Sequence, residues 1–91
     1  MSKTVLVVDD SPSVRQMISN TLQGAGYAVV TACDGQEALD VAGRVSPDAV
    51  ITDQNMPNLD GLGFCRAFRA RPEHQGVPVV FLSTESEDSI K

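Results

Sequence analysis

The sequence is short of basic residues, of cysteine and of long apolar runs, and each shortage excludes a class of protein. Seven Lys and Arg stand against twelve Asp and Glu, which gives a formal net charge of -5. Nucleic-acid-binding surfaces carry the opposite excess, so we expect no DNA or RNA partner. No apolar stretch approaches the roughly 18 residues of a membrane span, and the first residues lack the apolar core of a signal peptide. We therefore expect a cytoplasmic protein with no membrane contact.

Cysteine is equally scarce, with Cys33 and Cys65 alone and neither in a CxxC pair. Two cysteines are too few for the disulfide framework of a small secreted domain, so reduced, half-buried thiols are expected. The chain has 91 residues, of which 42% are hydrophobic. This length and composition predict one small globular domain over residues 1–91.

Short apolar segments alternate with segments whose apolar residues recur at helical spacing. The predicted strands are residues 5–8, 27–31, 49–52 and 77–82. The predicted helical stripes are Val14, Met17, Ile18 and Leu22, then Ala38, Val41, Ala42 and Val45, then Leu62, Phe64, Cys65 and Phe68. Ser11 and Asp34 stand where N-caps of the first two helices are expected.

Strict alternation of strand and helix, with strands too apolar to have a wet face, predicts an α/β fold in which helices cover both sides of a parallel sheet. If the second and third strands flank the first, the carboxyl ends of strands one and three meet at the point where ligands bind. Asp9, Asp10 and Asp53 follow those two strands. Three carboxylates would therefore converge at one crevice.

Carboxylates gathered in this way repel one another, and a bound cation is the obvious compensation. Mg²⁺ is commonly held by one or two carboxylates together with waters and a phosphate oxygen. A carboxylate can also act as a nucleophile and form an aspartyl phosphate. Asp53 suits that role because it stands alone, whereas Asp9 and Asp10 form a pair. An acid pair at a strand end is, by itself, more often a turn or capping device, and Asp53 is what favours the metal interpretation here.

The motifs in this order resemble the receiver domain of two-component response regulators. Asp9-Asp10 after the first strand matches the acid pair of that family, and Asp53 matches its phosphoacceptor. Residues 56–61, Met-Pro-Asn-Leu-Asp-Gly, match its MPxxDG loop. The resemblance covers the chain from Lys3 to Lys91.

The resemblance implies a flavodoxin-like doubly wound parallel sheet with strand order 2-1-3-4. It implies an Mg²⁺ site formed by Asp9, Asp10, Asp53 and the backbone carbonyl of Asn55. It also implies a switch hydroxyl on Ser83, a residue that on its own would more often be a helix cap. It further implies a sensor histidine kinase or phosphotransfer protein as phosphodonor and a protein target downstream. Residues 83–86 are similar to single-domain chemotaxis receivers.

The carboxyl end departs from the family pattern, which continues into a fifth strand with a lysine and proline and then a fifth helix. Lys3 and Lys91 are the only lysines, and neither matches the family position. Residues 77–82 would then form an edge strand in which only Pro78 hinders pairing with a strand of another chain. A homodimer or a domain-swapped oligomer is therefore expected. Phosphorylation is expected to be slow without the lysine.

Two other functions are compatible with the same residues. A docking or dimerisation module would keep the acidic metal site without switching. A flavodoxin-like mononucleotide binder is disfavoured because residues 9–13 offer no glycine nest and place two negative charges where a phosphate would lie. His74 is expected to be a solvated loop residue, and Met17 and Met56 are expected to be packing residues.

Overall fold

The computed structural model describes residues 3–54 and 59–82 of the chain. The strands are β1 (Thr4–Val8), β2 (Ala28–Ala32), β3 (Ala49–Asp53) and β4 (Val79–Leu82). The helices are α1 (Pro12–Gly24), α2 (Gly35–Val45) and α3 (Gly61–Arg69), followed by a 3-10 turn over Pro72–His74.

The strands form one parallel sheet in the order β2-β1-β3-β4, which confirms the predicted α/β fold. The main core lies on one face, where Leu6, Val8 and Val50 pack against Phe64 and Phe68. α2 and α3 cover this face and contact each other. α1 contacts β1 and β2 but contributes nothing to that core cluster, so it lies on the opposite face.

Each helix begins at the residue that its sequence favours. The Ser11 hydroxyl accepts a hydrogen bond from the Val14 N–H, and the Asp34 carboxylate accepts one from the Glu37 N–H at 2.8 Å. Asp60 caps α3 in the same way. These caps satisfy N–H groups that a helix leaves without an internal partner, and they therefore fix where each helix begins.

The predicted apolar stripes were partly wrong, because only a narrow face of each helix reaches the sheet. Met17 is 62% exposed and is not a packing residue. In α3 the buried positions belong to Phe64 and Phe68, one helical turn apart, and this spacing leaves Leu62 exposed. Val45 at the end of α2 is also exposed, while Ala38, Val41 and Ala42 are buried as expected.

His74 is buried, with 2% of its surface exposed. The prediction that it is a solvated loop residue was therefore also wrong. Its ring stacks on Phe68 with centroids 4.1 Å apart, and its Nδ1 lies 3.2 Å from the Phe68 carbonyl oxygen. The Arg69 guanidinium donates to the carbonyl oxygens of His74, Gln75 and Val77. This clamp folds the turn back over the end of α3, which is why a loop histidine becomes part of the core.

The edge of the sheet at β4 is also more exposed to solvent than the sequence predicted. β4 begins at Val79 rather than at residue 77, and it pairs with β3 alone in the part of the chain that is described. Val80 is 53% exposed, and Phe81 is also exposed. Within the same residues, no helix combines the length and the apolar character that crossing a bilayer requires.

Candidate functional site

Three acidic side chains meet where β1 and β3 end. The two strands are paired with Val8 opposite Thr52, so the residues that follow, Asp9 and Asp53, are brought side by side. One carboxylate oxygen from each of Asp9, Asp10 and Asp53 lies within 4.8 Å of the other two. Asp9 is buried, Asp53 is half-buried and Asp10 is exposed. The convergence expected from the strand order is therefore found.

Asp9 is held at three points. Its N–H donates to the Ala32 carbonyl oxygen at 3.1 Å, which continues the pairing of β1 with β2. Its carboxylate accepts a hydrogen bond from the Ser11 N–H at 2.9 Å. Its carbonyl oxygen accepts one from the Arg15 guanidinium at 2.6 Å. Both the backbone and the side chain of Asp9 are therefore fixed before any ligand binds.

The pKa of Asp9 is raised, chiefly because burial disfavours the charged carboxylate. The negative charges of Asp53 and Asp10 raise it further, while the hydrogen bond from Ser11 and the charge of Arg15 oppose the change. The sequence suggested that repulsion among the acids would raise one pKa. Burial is the largest single cause of the raised pKa of Asp9, and repulsion by the neighbouring acids adds to it.

Gly61, the first residue of α3, lies in close backbone contact with the end of β3. Its N–H donates to the Gln54 carbonyl oxygen at 3.0 Å. A Cβ atom at this position would lie 2.5 Å from the Asp53 carbonyl oxygen and 3.0 Å from the Phe81 ring. The sequence marked this glycine as part of a loop motif, but the backbone contact that requires glycine is visible only in the structure.

A second glycine joins the β2–α2 connection to the same segment. The Gly35 N–H donates to the Leu59 carbonyl oxygen at 3.1 Å, and a Cβ atom on Gly35 would lie 2.3 Å from that oxygen. The two connections can approach this closely only because residue 35 has no side chain. The β2–α2 connection is therefore held directly against Leu59, which precedes α3.

Cys33 precedes α2 in this connection and is exposed, whereas Cys65 is half-buried, and neither forms a disulfide. The Glu37 carboxylate accepts a hydrogen bond from the N–H of Cys33 at 2.7 Å, one residue before the Asp34 N-cap, while the Glu37 N–H donates to the Asp34 carboxylate. The same carboxylate is the main reason that the pKa of the Cys33 thiol is raised. A thiol with a raised pKa is a weak nucleophile at neutral pH.

The structure thus brings together Asp9, Asp10 and Asp53 of the expected site. Asn55 and Ser83 lie outside the described residues. Arg15 was not among the site residues predicted from the sequence, although its place five residues after Asp10 is a usable signal. A side chain in the first turn of a helix is directed back toward the helix N-terminus, where the acid pair lies.

Comparison with known proteins gives a consistent result. The model of the response regulator receiver domain family matches residues 5–91. The chain is 44% identical over 79 residues to a probable transcriptional regulator, ycf27, of Guillardia theta, a match that covers 87% of this chain and 30% of that protein. The chain spans about a third of the length of the curated relatives it matches.

Solved structures match over most of the fold. The Vibrio cholerae chemotaxis protein CheY4 is 42% identical, with a TM-score of 0.87 over 97% of this chain and 77% of that one. The receiver domain of the Pseudomonas aeruginosa sensor histidine kinase PA1611, described with a magnesium ion coordinated in its active site cleft, is 30% identical. Its TM-score is 0.84, over 96% of this chain and 75% of that one. The chain therefore belongs to the response regulator receiver domain family, the signalling switches of two-component systems.

Proposed function

We propose that this receiver domain accepts a phosphoryl group on Asp53 from the phosphohistidine of a sensor histidine kinase or phosphotransfer protein, and signals the change to a protein target. The observation that carries the proposal is the meeting of Asp9, Asp10 and Asp53 within 4.8 Å at the ends of two adjacent strands. The family supplies the class of donor, and residues 1–91 would act as one domain.

In the transfer step, a carboxylate oxygen of Asp53 attacks the phosphorus atom of the donor. A new O–P bond forms, the P–N bond to the donor imidazole breaks, and the imidazole nitrogen retains the electron pair. The product is an acyl phosphate on Asp53. The domain thereby assists its own phosphorylation, but it acts as a switch rather than as an enzyme with a separate substrate.

Asp53 suits the nucleophile's role better than Asp9 does. Asp9 is 5% exposed, and its carboxylate already accepts a hydrogen bond from the Ser11 N–H. Asp53, at the end of β3, is only half-buried, so it is more exposed to an incoming phosphodonor than Asp9 is. We therefore assign phosphate acceptance to Asp53, and metal binding to Asp9 and Asp10 with help from Asp53.

The donor set suits Mg²⁺, which prefers carboxylate and carbonyl oxygens. Full charges on Asp9 and Asp53 at a separation of 4.8 Å or less would repel by at least about 3.5 kcal/mol at an effective dielectric constant of 20. A bound Mg²⁺ would offset that repulsion and would neutralise charge on the phosphoryl oxygens during transfer. The magnesium ion in the related PA1611 receiver supports the same assignment here. The Asn55 carbonyl remains a further proposed ligand.

Ser83 remains the proposed switch hydroxyl. The register of β3 with β4 places Leu82 opposite Asp53. Ser83 follows Leu82 directly in the sequence, so the register supports a hydroxyl that responds to the phosphoryl group on Asp53. The chemotaxis role and the cytoplasmic location also remain predictions.

Incubation with a small acyl phosphate and Mg²⁺ tests the proposal. We expect intact-mass spectrometry to show one added phosphoryl group, with none on Asp53→Asn. Asp40→Asn provides a matched control, because Asp40 is an exposed acid on α2 and outside the acidic cluster. Equal labelling of Asp53→Asn would overturn the assignment, and metal binding without any labelling would favour the docking or dimerisation module.

We also propose that the chain pairs with a second copy through β4. The exposed apolar side chains of Val80 and Phe81 lie on a strand that has one described neighbour, and such an edge favours pairing with another chain. Light scattering at increasing protein concentration should show dimers or larger species that Val80→Lys reduces. A monomer at every concentration would contradict the pairing.

A further inference from the structure

We propose that Arg15 is a positioning residue of the metal site: its guanidinium fixes the turn that presents Asp9 and Asp10 to the cation. The proposal rests on the proposed function, because it concerns the same site. It assigns to Arg15 a role in building the metal-binding loop, distinct from those of the acids themselves.

The geometry is a closed ring of hydrogen bonds between β1 and α1. The Ser11 N–H donates to the Asp9 carboxylate at 2.9 Å, and the Arg15 N–H donates to the Ser11 carbonyl oxygen at 3.0 Å. The Arg15 guanidinium closes the ring on the Asp9 carbonyl oxygen at 2.6 Å. Asp10 lies between Asp9 and Ser11 in the sequence, so the hydrogen bonds of these two neighbours restrict its backbone.

The position of Arg15 links this ring to the neighbouring strand end. Its guanidinium is bonded to the Asp9 carbonyl oxygen, at the point where β1 ends beside β2. The Asp9 N–H is in turn bonded to the Ala32 carbonyl oxygen. Through Asp9, the Arg15 guanidinium is therefore tied to the pairing of β1 with β2 as well as to the turn that begins α1.

A positioning role and a purely electrostatic role of Arg15 predict opposite effects on Mg²⁺ affinity when the side chain is replaced. A guanidinium near three carboxylates repels Mg²⁺, so removing its charge alone would tighten binding. Removing the hydrogen bond to the Asp9 carbonyl oxygen releases the turn, so the carboxylates must be ordered when the metal binds. Groups that orient metal ligands typically contribute 10–100-fold to metal affinity, which is larger than the expected gain for a partly solvated charge.

The test is isothermal titration of the metal-free chain with Mg²⁺ alone. We expect Arg15→Gln to weaken binding roughly tenfold, and Arg15→Lys to weaken it less because it keeps a donor and a charge. Arg44→Gln is the matched control, because it removes the same charge. Arg44 lies in the last turn of α2, at the end of the sheet opposite the acidic site. Unchanged or tighter binding by Arg15→Gln would overturn the proposal.

A second measurement needs no metal and separates this proposal from the metal site itself. We expect the Ser11 amide, which donates to the Asp9 carboxylate, to exchange with deuterium severalfold faster in Arg15→Gln than in Arg44→Gln. Equal exchange in the two variants would refute the positioning role even if Mg²⁺ binds. Failure of the unmodified chain to bind Mg²⁺, with faster exchange in Arg15→Gln, would refute the metal site and leave Arg15 as the residue that fixes the turn.

Discussion

Substitution of Gly61 by Ala adds one methyl group at the point where α3 begins against the end of β3. The new Cβ atom would lie 2.5 Å from the Asp53 carbonyl oxygen, 3.0 Å from the Gln54 Cα and 3.0 Å from the Phe81 ring. Two of these three neighbours are backbone atoms, which cannot rotate away as the end of a side chain can. The substitution must therefore move the start of α3 or the end of β3.

The cost has two parts. Overpacking a filled site typically costs about 1–3 kcal/mol. The shift also threatens the hydrogen bond from the Gly61 N–H to the Gln54 carbonyl oxygen, a net contribution of about 0.5–1.5 kcal/mol. We expect Gly61→Ala to lower the free energy of unfolding by roughly 1.5–4.5 kcal/mol. Domains of this size have roughly 5–14 kcal/mol in total, so the variant should still fold.

Urea unfolding followed by circular dichroism measures this loss, with Gly24→Ala as the control. Gly24 is the last residue of α1, and a Cβ atom there would meet no heavy atom within 4 Å. The control should be as stable as the parent or slightly more stable, because alanine favours helix more than glycine does. Phosphorylation of Gly61→Ala should also be slowed, because the Asp53 backbone moves. Equal stability of the two variants would refute the contact.

Three further predictions concern charge. Mg²⁺ at ten times its Kd should raise the free energy of unfolding by about 1.4 kcal/mol, which corresponds to a Tm increase of roughly 6–11 °C. Asp10→Ala should greatly reduce this Tm increase. An equal increase in that variant would place the metal elsewhere. Because the folded pKa of Asp9 is raised above its ordinary 3.8, the metal-free stability that this residue provides falls as pH rises through the folded pKa. Asp9→Asn should therefore be more stable than the parent at pH 7 without metal, with the advantage shrinking toward pH 4, and a constant difference in melting temperature would contradict this. Glu37→Gln should speed alkylation of Cys33 at pH 8, because it removes the main cause of the raised thiol pKa, whereas an unchanged rate would show that Glu37 does not control the thiol.

The sheet and the acidic cluster could be predicted because local signals determine both. The apolar runs of β1 and β3 end directly in Asp9-Asp10 and in Asp53, and parallel strands place those ends on one edge of the sheet. The starts of α1 and α2 were predictable for a similar reason, since the Ser11 hydroxyl and the Asp34 carboxylate lie three residues before the N–H that each satisfies.

Features that depend on tertiary packing could not be predicted from the sequence. His74 is polar and lies beside proline and glycine, so only the Arg69 clamp and the Phe68 ring show why it is buried. The same limit applies to Gly61, whose neighbours across the β3–α3 connection are fixed by the three-dimensional path of the chain. Helical spacing predicted a stripe on α3, but the side of the helix that meets the sheet depends on where the sheet lies.

The most direct test of the central claim is to locate the phosphoryl group on the chain. After reaction with a small acyl phosphate and Mg²⁺, borohydride converts an aspartyl phosphate into homoserine, which peptide mass spectrometry can assign to one residue. We predict homoserine at position 53 and aspartate unchanged at positions 9 and 10. Homoserine at either of those positions, with Asp53 intact, would contradict the assignment of Asp53 as the phosphoacceptor.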